Sequence, residues 1–160
     1  MAVDRPIANL GEAAERQPLL LDRLTVFNHL WAIAGLCEVG RWLRTGDPWC
    51  LILSPGSMGL LAFPRSTRWL AFYAASQLFF HAFVDHVPWN HGLFLALMNG
   101  AILASVVRVS YLARNQPELA SGEARRTALL RLFAPTLRLS LILMYAFAFL
   151  HKLNWDFLDT

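Results

Sequence analysis

Charge is scarce in this chain, and lysine scarcer still. Only 16% of the 160 residues are Asp, Glu, Lys or Arg, against about 25% in an ordinary soluble protein. The fourteen basic residues include a single lysine, Lys152, and the arginines are scattered rather than gathered in a run. That pattern gives no footprint for nucleic acid, which is excluded as a partner. The two cysteines, Cys37 and Cys50, are too few for a disulfide framework and lack metal-ligand spacing. Both are expected to act as small apolar fillers. No secretory signal is expected, because the first residues carry Asp4, Arg5, Pro6, Glu12, Glu15, Arg16 and Pro18 where a signal needs an apolar core. Internal repeats and strand-like alternation are also missing.

Apolar length is what the chain has in quantity. Hydrophobic residues make up 56%, with six Trp and eleven Phe, and the mean hydropathy is +0.42. A membrane helix needs about 20 mostly apolar residues. Residues 68–88, 92–113 and 129–150 each supply such a segment, the last kinked or started near Pro135. Residues 24–43 form a fourth, interrupted by Asn28, His29, Glu38 and Arg41. Residues 49–63 are apolar but short, and Ser54-Pro55-Gly56 divides them. A broken or re-entrant segment is expected there, its backbone covered by protein or water. The expected fold is therefore all-α: a polytopic integral membrane helical bundle with four spans plus one broken segment. It follows a polar tail, residues 1–23, with a short interfacial helix around Leu19–Leu21.

Arginine sets the expected orientation. Arg65, Arg68, Arg108, Arg114, Arg125, Arg126 and Arg131 flank the two ends that should be cytoplasmic. The 88–92 turn and the Lys152 end then lie on the other side. If 49–63 crosses in some form, the tail is cytoplasmic too; otherwise it lies outside.

Charged and polar groups within spans suggest function by default. Gln77, His81 and Asp85 recur four apart, on one helix face that Trp69 and Tyr73 continue. His81 and Asp85 could hydrogen-bond and so fix the imidazole tautomer. A metal held by His81, Asp85, His86 and His91 is the sharp alternative, an interhelical hydrogen-bond stripe the plain one, and a polar outward-opening cavity the third. The histidine boxes of membrane di-iron enzymes are missing, and no metal is assigned. Glu38 and Arg41, three apart, form a structural pair. Arg138, ten residues into its segment, lies about 14 Å along it, too deep to snorkel comfortably, so a carboxylate or anionic ligand is expected beside it. Arg138, Tyr145 and Lys152 recur every seven residues and share a face. By spacing alone Lys152 and Trp155 are interfacial anchors.

The closing stretch "YAFAFLHKLNWDFLDT" (145–160) resembles the signature segment of the horizontally transferred transmembrane domain family, which is related to the vitamin K-dependent gamma-carboxylase. The matching elements are Tyr145-Ala146-Phe147-Ala148, then Lys152-Leu153-Asn154, then Asp156-Phe157 in a turn. "PWNHGLFLALMNGAIL" (88–103) is similar to a turn and helix of bacterial relatives. The resemblance implies a bacterial plasma-membrane protein in which Lys152 is the base that deprotonates a quinol, so a reduced quinone or similar lipophilic molecule is the implied ligand. His151 and Asn154 carry over as motif neighbours, with Arg138, His81 and Asp85 as supporting candidates. A lysine can be a base only where its neutral form is populated at working pH. Departures from the family's pattern are His151 in place of the first of two adjacent lysines, the missing lumenal domain, and a stop at Thr160 that is expected to mark a fragment. A non-catalytic scaffold or carrier subunit, with Lys152 as anchor, is the alternative. Few spans with several charges also suggest an oligomer or partner subunit.

Overall fold

The computed structural model describes residues 22–46, 48, 50–84 and 90–157, with backbone only at 45, 50, 90, 91 and 151–157. The described residues are all-α. Helix α1 is Arg23–Thr45, α2 Cys50–Ala62, α3 Thr67–Phe79, α4 Asn90–Asn115 and α5 Gly122–Phe157. A π-helical turn, Phe80–Val84, extends α3, and a 3-10 turn, Pro117–Leu119, joins α4 to α5. Each helix packs against the next in sequence, and α1 also meets α5.

Capping residues set where the first helix begins and ends. The Asp22 side chain accepts from the Leu24 N–H at 3.1 Å and from the Thr25 hydroxyl at 3.1 Å, which satisfies an otherwise orphaned donor. Gly46, at φ 72°, closes α1 in the left-handed conformation that glycine adopts without strain. Between them, Leu24, Asn28, Ala32, Gly35 and Val39 form one inward stripe, at the three- and four-residue spacing of a helix face. Cys37 is exposed, against the expectation of a buried filler, because it falls outside that stripe. The side chain of Cys50 and residues 1–21, including Leu19–Leu21, lie outside the described residues.

Helix α2 runs unbroken through Ser54-Pro55-Gly56, where the sequence suggested a break. Pro55 has no N–H to give to the Leu51 carbonyl. The Ser54 hydroxyl donates to that carbonyl instead, at 3.3 Å. Small residues then bring three helices close. A Cβ on Gly35 would lie 2.6 Å from both Ser57 Oγ and Tyr73 Oη, and one on Gly59 would lie 2.2 Å from the Trp69 ring. Such close backbone approach is typical of helix packing within membranes.

One end of the bundle is tied together by polar groups. Arg126, near the start of α5, donates from Nε to Asp22 Oδ2 at 2.7 Å and from Nη2 to Thr25 Oγ1 at 2.8 Å, and also bonds the Arg65 carbonyl. Asn28 donates to the Pro64 carbonyl at 2.6 Å. Arg125 donates to the Leu119 and Ala120 carbonyls at 2.7 and 2.9 Å. The start of α1, the α2–α3 turn and the α4–α5 turn therefore share one end. The chain runs away from it, back, away, back and away again.

The core of the bundle lies along α1, α3, α4 and the first half of α5. Leu24, Leu70, Met98, Ile102, Leu129 and Phe133 are among its most enclosed members, and Leu60 joins them from α2. A smaller cluster of Val39, Leu53 and Phe80 fills the opposite end, where Trp42 meets Phe80 edge-on at 5.3 Å.

Among the described residues two helices, Gly92–Asn115 and Gly122–Leu150, are long and apolar enough to cross a membrane. That is fewer than the four spans expected. Helix α1 has the length but is diluted by polar residues, and residues 68–84 of the 68–88 segment divide between α3 and its π turn. Helix α5 starts at Gly122 and passes through Pro135 without ending. Arg138 is thus about 24 Å from the helix start at 1.5 Å per residue, because the helix begins before the apolar segment does. The helix also continues past Lys152 to Phe157, where the family resemblance implied a helix end and a turn. No Gly or Pro follows Pro135 to stop it.

Candidate functional site

A small cleft opens in the bundle where α1, α3 and α4 converge. Trp31, Ala34, Gly35 and Glu38 line it from α1, Tyr73 and Gln77 from α3, and Leu95 and Asn99 from α4; it holds about 260 Å³ of atom-free space, counted out to its open mouth. Successive helical turns supply these groups: Trp31, Ala34, Gly35 and Glu38 on one helix, Tyr73 and Gln77 on another, Leu95 and Asn99 on the third.

Hydrogen bonds fix most of the wall. The Tyr73 hydroxyl donates to the Trp31 carbonyl at 3.0 Å. The Trp31 indole N–H donates to Asn99 Oδ1 at 3.2 Å, and Asn99 Nδ2 donates to its own helix at Leu95, 2.9 Å away. These bonds join α1 to α3 and to α4 in the interior, where each counts for more than it would in water. The Glu38 carboxylate accepts from Arg41 through Oε1 at 2.9 Å, with the Glu38 side chain 14% exposed and that of Arg41 52%. Arg41 also lies over the Trp42 ring at 5.1 Å, a cation–π contact. Glu38–Arg41 is thus the pair the spacing suggested, and Glu38 lines one side of the cleft. Gln77 makes no hydrogen bond among the described residues, and its Nε2 is fully buried.

Of the polar stripe read from the sequence, Gln77 and His81 are both buried on the inner side of α3 and its π turn, and Gln77 lines the cleft. His81 meets the Phe80 ring edge-on at 5.4 Å. Asp85 and His86 lie outside the described residues, as does the side chain of His91. Among the described residues no group of three or more His, Cys, Asp or Glu could hold a metal ion. His29 is half-buried and donates from Nδ1 to the Thr25 carbonyl at 2.9 Å, a local bond within α1.

The last helix carries the other candidates on a different surface. Arg138 and Tyr145 are exposed, on the shared outward face that their seven-residue spacing implied, and neither lines the cleft. Arg138 has no ion pair among the described residues, and Asp85 lies outside them. The side chains of His151, Lys152 and Asn154 lie outside the described residues.

Sequence reasoning missed Asn99 and Trp31. Asn99 is a lone amide in an apolar run, and by the default applied to Gln77 it could have been singled out. Trp31 gave no signal, because its contribution is a backbone carbonyl and an indole N–H aimed across the bundle. The Asp22–Arg126 contact joins residues 104 apart in sequence, and nothing local marks it. Comparison of the chain with family models, with curated proteins and with solved structures finds no match.

Proposed function

We propose that this chain is an integral membrane protein of the bacterial plasma membrane. In this reading α1, α3 with its π turn, α4 and α5 are the spans, and α2 is a shorter segment between two of them. The observation that carries it is the surface of α5. The apolar stretch within Gly122–Leu150 is only 17% buried, and Leu139, Ile142, Tyr145, Phe147 and Phe149 are all more than half exposed. The core helix of a soluble protein would hide such residues, whereas a bilayer accepts them on every side. Arg23, Arg65, Arg68, Arg114, Arg125 and Arg126 fall at or near the shared end, which the positive-inside rule makes cytoplasmic. The Lys152 end is then on the other side.

For its chemistry, the reading is that the protein acts on a lipid-soluble quinol or similar small molecule, in the manner of the carboxylase-like family its closing motif resembles. Lys152 is the base: its neutral amine takes a proton from a quinol hydroxyl and leaves the quinolate. Asn154, His151 and Arg138 are its nearest helpers in sequence. The rival is a membrane scaffold or carrier subunit in which Lys152 anchors the helix end among headgroups.

Purified protein in nanodiscs, supplied with reduced menaquinone under air, separates the two. The catalytic reading expects saturable quinol oxidation that Lys152→Arg abolishes without unfolding the protein, because arginine stays protonated. Unchanged behaviour of Lys152→Arg, or no turnover above empty nanodiscs, would leave the anchor reading. The membrane reading is tested separately by cysteine accessibility at positions 125 and 154, which should label from opposite faces of sealed vesicles.

A further inference from the structure

The cleft between α1, α3 and α4 contains a group that packing alone leaves unexplained. Gln77 is 2% exposed, lines the cleft, and has no hydrogen-bond partner among the described residues. Burying an amide without a partner is costly, and native interiors seldom do it without a reason. A π-helical turn begins three residues later at Phe80, an irregularity often found beside functional sites.

The surrounding groups are committed so as to leave complementary capacity. The Tyr73 hydroxyl has given its proton to the Trp31 carbonyl, so its oxygen remains an acceptor. The indole N–H of Trp31 is taken by Asn99. One oxygen of Glu38 is engaged by Arg41 and the other is not. The wall therefore offers a buried donor at Gln77 together with acceptors at Glu38 and Tyr73. Glu38 and Arg41 already neutralise one another, so either a cationic or an anionic ligand would leave an uncompensated charge inside the bundle.

We infer that this cleft binds the head of a small uncharged molecule bearing a hydroxyl group. The hydroxyl accepts from Gln77 Nε2 and donates to Glu38 or Tyr73 Oη, and the apolar body of the ligand lies against Trp31 and Leu95. The volume of about 260 Å³ is counted out to the open mouth and includes space outside the bundle, so the enclosed part takes only the hydroxyl-bearing head and the body of the ligand lies in the mouth. None of the lining residues belongs to α5, so the inference does not depend on what Lys152 does.

Fluorine NMR of the full chain, labelled with fluorotryptophan in micelles, tests it. The six tryptophans give separate signals, and the one lost in Trp31→Phe reports the cleft. Phenol should displace the Trp31 signal saturably, while the others follow only the linear drift of partition into the micelle. Toluene, which lacks the hydroxyl, should produce only the drift. Gln77→Leu should weaken phenol binding about tenfold, the loss of one buried hydrogen bond. Gln77→Met, closer in shape, repeats the comparison where the leucine variant yields too little folded protein. The inference is overturned if toluene acts as phenol does, if all six signals drift together, or if both Gln77 variants titrate like the parent. Lys152→Arg should leave the titration unchanged, which keeps failure here separate from failure of the quinol reading.

Discussion

Gly35 holds the place where three helices touch. With a Cβ 2.6 Å from both Ser57 Oγ and Tyr73 Oη, Gly35→Ala must push α2 or the Tyr73 ring away and break the bond to the Trp31 carbonyl. Overpacking of this kind costs about 1–3 kcal/mol, and a lowered midpoint in SDS titration of the micellar protein would register it. Gly100 is the control. A Cβ there meets nothing within 4 Å, so Gly100→Ala should be neutral or raise stability by about 0.5–1 kcal/mol, the usual helix-interior gain. Gln77 lies at the opposite extreme from Gly35. Replacing its unpartnered amide in Gln77→Leu should stabilise the ligand-free protein by about 1–3 kcal/mol, the cost of a buried unsatisfied group. A loss of stability in the same titration would mean that the amide has a structural partner after all.

At the scale of a helix, α2 shows how a breaker is accommodated. Pro55 removes one hydrogen bond, and Ser54 takes up the carbonyl left over. Ser54→Ala should therefore cost about 1 kcal/mol in the native background, the worth of one hydrogen bond. It should cost close to nothing once Pro55→Ala has restored the N–H. A double-mutant cycle reads that coupling directly, and additive effects would refute the compensation. The same stretch shows what the sequence could and could not convey about elements. Residues 24–43, 92–113 and 129–150 were legible as helices because apolar length is a local property. The continuity of α2 was not, because it depends on which rotamer Ser54 adopts. The π turn at Phe80–Val84 was equally hidden, since no residue type marks it. The buried Gln77–His81 row was visible from its four-residue period alone, whereas the cleft it borders required knowing that Asn99 and Trp31 come from other helices.

Across the whole molecule, the Asp22–Arg126 contact fastens the start of the first helix to the last. Burial pushes the Asp22 carboxyl upward, but the hydrogen bond and charge of Arg126, with the Leu24 N–H and Thr25 hydroxyl, outweigh it and hold the group below its ordinary value. A carboxyl depressed in the folded state adds stability above its unfolded pKa, about 3.9. That share is lost as pH falls through the lower folded value. Asp22→Asn should therefore lower stability at neutral pH and flatten the decline between about pH 4 and more acid conditions, the range set by these carboxylate values. Unfolding curves taken across that range check both halves. Arg126→Lys should behave much like Asp22→Asn, because one ammonium cannot reproduce the fork that reaches Asp22, Thr25 and the Arg65 carbonyl.

That closure also sets an order of events during synthesis. The α1–α2, α2–α3 and α3–α4 pairs can form as each helix leaves the ribosome, since each needs only the helix before it. Every residue lining the cleft has been made once Asn99 is in place, well before α5 exists. Arg126 is synthesised later still, and only then can the start of α1 be fastened to the last helix. Binding at the cleft and closure of the bundle are thus separate steps in the life of the chain, and a nascent chain stalled before residue 122 would already carry the first without the second.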